Sequence, residues 1–532
     1  MSQQLPGTAV SGVVRRWIVY AILFTLVAIA ANGVSSLLGR LLDVDPLFDE
    51  GTYGLALALA YALIGGPLAL LLWWLVWRRL DDADRGSVAW GLYIAAMYVT
   101  SLVVFTVGAL STLAALVRGD WQPWECASAI VWFAVWLGHH AMLRHRDKGP
   151  TRLATLPVVL GAAYGLGVAA FSAGRTLQGL LDTALLSETG LPLGDPWWQS
   201  VLQSLIWCAG GILLWWWHWF RDGARRFRGG FADVALVLTG ILAAAGAMLG
   251  GVISLLHTGL RGAFDPSASS RDLLGDLALA IAAAVIGAIV WLYHRRIVLE
   301  RGERTRAAAG LVEAGLGLIA LASGIGVVLN ALLAATVTPL AGSDALSLLF
   351  GGLAALIVGA IVWVWAWRPL RVEEGAGGPA RRVYLVAVFG ASAVVALSTL
   401  LVIGFRIFEL VLDSSGGVVE RVRAPLGLLV ATALVAGYHF AIWRRDRAAA
   451  PASAAPARAF DQVVLVAAGD AQPVAQAIRE ATGASVVVWT RSDAAEPASA
   501  ETITAALEGV EARRVLVVAG AEGRVEVVPL AG

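Results

Sequence analysis

The chain has 532 residues, of which 58% are hydrophobic and 14% are charged, and its mean hydropathy is +0.75. Soluble domains contain about 45–50% apolar and about 25% charged residues, and a single core stops growing beyond roughly 250–300 residues. The apolar excess therefore requires lipid as the solvent for much of the chain. The net charge of +1 gives no support for nucleic-acid binding, and Cys126 and Cys208 support neither a disulfide framework nor a cysteine-based metal site.

A helix that crosses a hydrocarbon core of about 30 Å needs roughly 20 apolar residues. The chain contains twelve segments of about this kind, which predicts an all-α polytopic membrane bundle. The predicted spans cover 16–40, 54–77, 88–117, 127–143, 153–181, 200–220, 231–260, 272–294, 307–337, 345–367, 382–412 and 424–443.

The twelve segments form pairs, because every even-numbered segment finishes in aromatic residues followed by arginines. Six related endings at nearly regular intervals are an internal repeat, and this repeat predicts six helical hairpins. The endings are WWLVWRRL (73–80), VWLGHHAMLRHR (135–146), LWWWHWFRD (214–222), VWLYHRR (290–296), VWVWAWRPL (362–370) and YHFAIWRRD (438–446).

Basic residues concentrate at one end of these hairpins. The N-terminus and the loops after even-numbered segments, up to Arg447, hold 25 Lys and Arg residues, whereas the loops after odd-numbered segments hold six. Short loops rich in arginine stay in the cytoplasm, so we expect both termini to be cytoplasmic. Lys148 is the only lysine among 39 basic residues, which indicates a GC-rich bacterial genome and hence the bacterial inner (cytoplasmic) membrane.

After Arg447 the composition changes to that of a small soluble domain. Residues 448–459 form a Pro/Ala linker, which suits neither a span nor a packed core. Residues 460–532 alternate β-branched runs with helical patterns, and this order predicts a cytoplasmic α/β domain with a βαβαββ order and a largely parallel sheet. The domain carries ten acidic and five basic residues, so nucleic acid and anionic lipid are poor partners for it. It lacks the glycine patterns of nucleotide-binding turns, which favours binding of a protein partner.

The hairpins have an Arg-Arg-aromatic entry, a first helix that bears Gly and Ser, and an exit of Trp or His followed by Arg. In these features they resemble a membrane domain of bacteria and archaea known as domain of unknown function 5671. That domain is a unit of about four helices, so the resemblance implies three copies, at 10–148, 150–301 and 304–447. It implies no activity and no site residue, and it leaves the C-terminal domain unrecognised.

Histidines near the ends of even-numbered segments raise the question of a haem site, because membrane haem proteins use paired helix-borne histidines. His294, however, matches Trp77 and Trp367 when the arginine endings are aligned. A position that exchanges His for Trp between repeats is typical of an amphipathic anchor at the membrane interface. We therefore predict interfacial anchors, and no metal or cofactor, at Trp77, His140, His218, His294, Trp367 and His439.

Two arginines lie inside predicted spans at matching positions, each seven residues before an aspartate. These are Arg175 and Arg406, and Glu409 follows Arg406 by one turn on the same helix face. An ionisable residue in a span is a functional candidate. Seven residues at 1.5 Å nevertheless leave each arginine only about 10 Å from the helix end, where it can snorkel or form a structural ion pair. Asn32 and Asn330 are further polar candidates, for helix packing or for a substrate path.

The sequence contains no recognisable catalytic, metal-binding or nucleotide-binding constellation, so an enzyme is not expected. The first hypothesis is a structural, accessory or scaffold protein with a cytoplasmic interaction domain. The alternative is a transporter or channel for a small solute, because repeats of one orientation in a twelve-helix bundle resemble transporters that bind substrate between repeats. The third hypothesis is a membrane redox or enzyme subunit.

Overall fold

The computed structural model divides the chain into two compact units, Met1–Phe440 and Ala441–Gly532. The structure describes residues 6–44, 51–186, 196–337, 344–372, 379–413, 417–449, 460–469, 471–491, 499–507, 510, 512–520 and 524–530. Most of the expected Pro/Ala linker at 448–459 lies outside the described residues.

Twelve helices of the described chain are long and apolar enough to cross a membrane, which confirms the predicted all-α bundle. Serine caps stabilise the first turns of two of these helices. The hydroxyl of Ser87 accepts a hydrogen bond from the N–H of Trp90, and that of Ser269 from the N–H of Asp272. The helices are α1 (Pro6–Leu42), α2 (Thr52–Arg79), α3 (Val88–Leu116), α4 (Pro123–Leu143), α5 (Leu156–Leu186), α6 (Trp197–Arg221), α7 (Gly230–Phe264), α8 (Ser270–Leu299), α9 (Glu303–Ala334), α10 (Asp344–Val372), α11 (Pro379–Asp413) and α12 (Val418–Ala449).

Helices of one hairpin pack closely because small residues line their contacts. A Cβ added to Gly165 of α5 would lie 2.5 Å from the backbone nitrogen of Trp215 in α6. A Cβ on Gly317 of α9 would lie equally close, at 2.5 Å, to the backbone nitrogen of Trp363 in α10. The same backbone contact thus recurs in two hairpins, as expected for helices that pack through small residues in lipid.

Three of the twelve helices contain π-helical turns, which the sequence analysis did not predict. These turns are Tyr61–Gly65 in α2, Trp217–Arg221 in α6 and Leu236–Ala243 in α7. A π turn adds one residue and rotates the side chains that follow it, and such turns are frequent at functional sites. His218 and Gly240 lie inside the last two turns.

The C-terminal unit contains a four-stranded sheet with the strand order β2-β1-β3-β4. Strands β1, β2 and β3 are parallel, and β4 pairs antiparallel with β3, which confirms the predicted small α/β domain. Helices α13 and α14 pack with one face of the sheet in a single core that includes Val463, Leu465, Val515 and Val517. The elements are β1 (Gln462–Ala467), α13 (Gln472–Thr482), β2 (Ser485–Thr490), α14 (Ala500–Leu507), β3 (Arg514–Ala519) and β4 (Val525–Leu530).

Candidate functional site

Four histidines of the even-numbered helices share one local geometry. In His139, His218, His294 and His439 the ring Nδ1 lies 2.8 Å from the carbonyl oxygen four residues earlier. A carbonyl can only accept, so Nδ1 carries the hydrogen and Nε2 of the neutral ring is left as an acceptor. In two of the four the acceptor is used: Nε2 of His218 lies 2.9 Å from the Tyr98 hydroxyl, and Nε2 of His139 lies 3.1 Å from the Tyr93 hydroxyl.

The other two histidines pack among aromatic rings. His294 contacts the rings of Trp215 and Trp219, and His439 contacts those of Trp363, Trp367 and Tyr384. Within the described chain, the buried Nε2 of each has no hydrogen-bond partner.

Glycines of the preceding helices make room for two of these rings. A Cβ on Gly161 of α5 would lie 2.6 Å from the ring of His218. A Cβ on Gly240 of α7 would lie 2.6 Å from the Cβ and the ring of His294. A histidine of the even-numbered helix therefore lies over a glycine of the odd-numbered helix in both hairpins of the second repeat.

The predicted anchor positions differ in burial. His218, His294, His439 and Trp367 are at most 3% exposed, so their rings contact other side chains of the protein. Trp77 and His140 are half-buried. For all six positions the anchor assignment stays a prediction. His140 packs against Trp136, with ring centroids 5.1 Å apart.

Polar contacts join the first repeat to the second. Besides the bond from Tyr98 to His218, the hydroxyl groups of Thr106 in α3 and Tyr164 in α5 lie 2.9 Å apart. Near the ends at which the even-numbered helices finish, called here the arginine-rich end, Arg144 forms an ion pair with Asp222.

A partly buried ion pair, in which Glu313 is 7% and Arg295 31% exposed, joins the second repeat to the third. Nη1 of Arg295 in α8 lies 2.7 Å and 2.8 Å from the two carboxylate oxygens of Glu313 in α9. Trp291 donates its indole N–H to the same carboxylate at 2.8 Å, and the Arg295 guanidinium lies 4.4 Å from the Trp365 ring centroid. Sequence reasoning missed this site, although Glu313 was visible as a carboxylate six residues inside the predicted span 307–337.

The two intramembrane arginines have different partners at the same spacing. Arg406 Nη1 lies 3.1 Å from Oε2 of Glu409, and the same oxygen lies 3.1 Å from Nη1 of Arg421 in α12. Arg175 Nη1 instead lies 3.0 Å from the neutral side-chain oxygen of Gln178. The structure thus joins Arg406 with Glu409, as their spacing suggested, and gives Arg175 no carboxylate partner among the described residues.

The two candidate asparagines have unlike surroundings. Asn32 is exposed on α1. Asn330 lies in α9 where Gly427 of α12 crosses Gly326, and its side-chain oxygen is buried. The buried position of Asn330 at this helix crossing is compatible with helix packing, and for both asparagines the choice between packing and a substrate path stays a prediction.

Two cavities meet at Arg175. A polar cavity of about 870 Å³ lies between α3, α4, α5 and α6, and its lining includes Arg118, Glu125, Arg175 and Gln203. An apolar groove of about 440 Å³ lies between α5, α7 and α8, with Arg175 and Gln178 at one end.

One face of the C-terminal sheet is not covered by either described helix. Pairing aligns Val487, Val464, Leu516 and Val528 in one row, and places Trp489, Val466, Val518 and Glu526 in another. We call these eight residues the open sheet face. Trp489 is 61% exposed and Val487 39% exposed, and both lie on the edge strand β2.

Among the described residues, no group of three or more His, Cys, Asp or Glu side chains could hold a metal ion. The arrangement of twelve apolar helices in repeated hairpins, with polar contacts between repeats, defines a multi-pass membrane-type helical protein.

The family described as "Domain of unknown function (DUF5671)" matches residues 16–138, 155–278 and 311–438. Because these matches cover more than half of the chain, the protein belongs to this family, and three copies of the unit are confirmed.

Each match lies within one of the three predicted units, whose outer limits stay predictions. No curated protein and no solved structure matches the chain.

Proposed function

We propose that the protein is a docking protein of the bacterial cytoplasmic membrane, with both termini in the cytoplasm, and that its C-terminal domain binds a protein partner. The open sheet face carries this proposal. Its apolar side chains lie side by side across four strands, and contiguous exposed apolar surface is typical of a protein-binding site. The acidic surplus of the domain favours a protein partner over nucleic acid or anionic lipid.

The membrane bundle supports the role of an anchor. Its hairpins are held by backbone contacts at glycines and by buried aromatic rings, which serve packing. The excess of arginine after even-numbered helices supports the cytoplasmic placement of both termini.

Site-specific photo-crosslinking in native membranes tests the docking role. A photoreactive phenylalanine analogue at Trp489 should crosslink to a defined protein, whereas the same analogue at Glu480, exposed on α13, should not. The change Val487→Asp on the same face should then abolish the crosslink from position 489. Equal crosslinking at both positions, or none at position 489, would oppose the proposal.

The polar cavity favours a second candidate function, transport of a small solute. It lies between the first two repeats, where transporters of repeated architecture bind substrate. Towards the arginine-rich end, however, the interface is filled by Tyr98, His218 and Trp136, which are at most 8% exposed. A cysteine in place of Ser172 in the cavity wall should therefore react with a water-soluble thiol reagent from one side only. Reaction from both sides would favour transport over docking.

A further inference from the structure

Arg175 and Arg406 form a natural comparison, because they occupy matching positions in α5 and α11. The residue three positions later is Glu409 in α11 and Gln178 in α5, and in each case it contacts the arginine. Glu409 supplies a negative charge to its arginine, and Gln178 does not. Among the described residues, no carboxylate therefore lies within ion-pair distance of the Arg175 guanidinium, which belongs to a segment long and apolar enough to cross a membrane. Glu125 lines the polar cavity on the other side of Arg175.

The apolar groove begins at this guanidinium. Its walls are mostly small or aliphatic, and Arg175 is the one charged side chain among its described lining residues. From Gln178 to Ala163 the groove follows α5 over fifteen residue steps, or about 22 Å at 1.5 Å per step. One leaflet of a bilayer is about 15 Å deep, half of the hydrocarbon thickness, so the groove can accept an extended acyl chain.

The groove has open space within it and an open side. A Cβ added to Gly167 or Gly174 would meet no atom within 4 Å. Phe171 and Leu279, which flank the groove, are 73% and 58% exposed. A ligand can therefore enter sideways from the surrounding lipid without movement of a helix.

We propose that the groove binds one anionic phospholipid, with an acyl chain along α5 and the phosphate beside Arg175. The argument for this occupant is charge complementarity: its phosphate supplies the negative charge that Glu409 supplies to Arg406. A charge-assisted contact between guanidinium and phosphate is strong and geometrically specific. A zwitterionic lipid also carries a phosphate, but its cationic headgroup would compete with Arg175 for that phosphate. This site is independent of the docking proposed for the C-terminal domain.

The full-length protein in nanodiscs of mixed phosphatidylglycerol and phosphatidylcholine tests the proposal, with retained lipid counted by mass spectrometry after transfer to detergent. Arg175→Gln should lower phosphatidylglycerol retention about tenfold, the factor that corresponds to about 1.4 kcal/mol. Gln178→Glu should lower it similarly, because the new carboxylate would pair with Arg175 as Glu409 pairs with Arg406. Arg406→Gln is the matched control and should leave retention unchanged.

A second pair of variants tests the groove itself. Gly167→Leu fills open space in the groove and should reduce retention of both lipids, whereas Gly250→Leu, at an exposed glycine of α7 outside the groove, should not. Folding of each variant is followed by its elution volume and thermal unfolding. Three results would overturn the proposal: unchanged retention in Arg175→Gln, equal retention of the two lipids by the unmodified protein, or recovery of a free fatty acid in place of phospholipid.

Discussion

His218 and His294 show how one neighbouring side chain changes the chemistry of a repeated position. Both direct Nδ1 to the carbonyl one turn earlier, and both lie over a glycine of the preceding helix. Only His218 receives a tyrosine hydroxyl at Nε2. Arg175 and Arg406 differ in the same way, through Gln178 and Glu409. The function of a residue in this bundle therefore depends on its partner as much as on its place in the repeat.

Glu313 gives the sharpest prediction at the residue scale. Glu313→Ala leaves Arg295 and the Trp291 indole N–H without their shared acceptor. Glu313 is 7% and Arg295 31% exposed, so we expect a loss below the ~3–5 kcal/mol that is typical of a fully buried pair, measured as a lower unfolding midpoint in detergent. Glu313→Gln retains an acceptor for Trp291 and should recover part of the loss.

The control for this prediction is Glu409→Ala. Glu409 binds both Arg406 and Arg421 and is 35% exposed, against 7% for Glu313. Exposed pairs contribute about 0–1 kcal/mol each. Equal losses of stability in the two alanine variants would show that the Glu313 pair stabilises the protein no more than the exposed pairs of Glu409 do.

At the scale of elements, the hairpin is the structural unit, and glycine determines how closely its two helices approach. Gly165 and Gly317 admit the backbone of the partner helix at equivalent places. Larger side chains there would separate the helices and break the aromatic contacts near the arginine-rich end. The same close contact between backbones therefore recurs within two hairpins, although the side chains around it differ.

Two glycines of α9 allow a matched test of this view. Gly317→Ala places a Cβ 2.5 Å from a backbone nitrogen of α10, and such overpacking typically costs about 1–3 kcal/mol. Gly315→Ala meets no atom within 4 Å and should be neutral or stabilise the helix by up to about 1 kcal/mol. Thermal unfolding of both proteins in one detergent measures the difference, and a lower midpoint for Gly315→Ala than for Gly317→Ala would contradict the packing argument.

At the scale of the whole molecule, the number of spans and the distribution of arginine determine the topology. The described chain contains twelve helices long and apolar enough to cross a membrane, and an even number of crossings would place the two termini on the same side of a bilayer. The arginines after even-numbered helices predict that this side is the cytoplasm. The C-terminal domain would then face cytoplasmic partners.

Cysteine labelling in intact cells checks this topology. With Cys126 and Cys208 replaced by serine, a cysteine at exposed Asp120, between α3 and α4, should react with a membrane-impermeant thiol reagent. A cysteine at exposed Asp147, between α4 and α5, should react only after the cells are opened. The reverse pattern would place both termini outside the cytoplasm.

The sequence by itself determined the twelve helices, their pairing, the family and the small α/β domain, because apolar length, repeated aromatic-arginine endings and alternating β-branched runs are local patterns. It also identified Arg406 with Glu409, since residues three apart on a helix meet whatever surrounds them.

Only the tertiary structure decided which polar side chains are buried and paired. The contacts of Tyr98 with His218 and of Arg295 with Glu313 join residues from different hairpins, and the π turns rotate side chains in ways that a regular 3.6-residue period does not predict. The groove at Arg175 likewise required three helices to meet. Sequence patterns report the neighbours of a residue along one helix, whereas a binding site depends on how separate helices pack together.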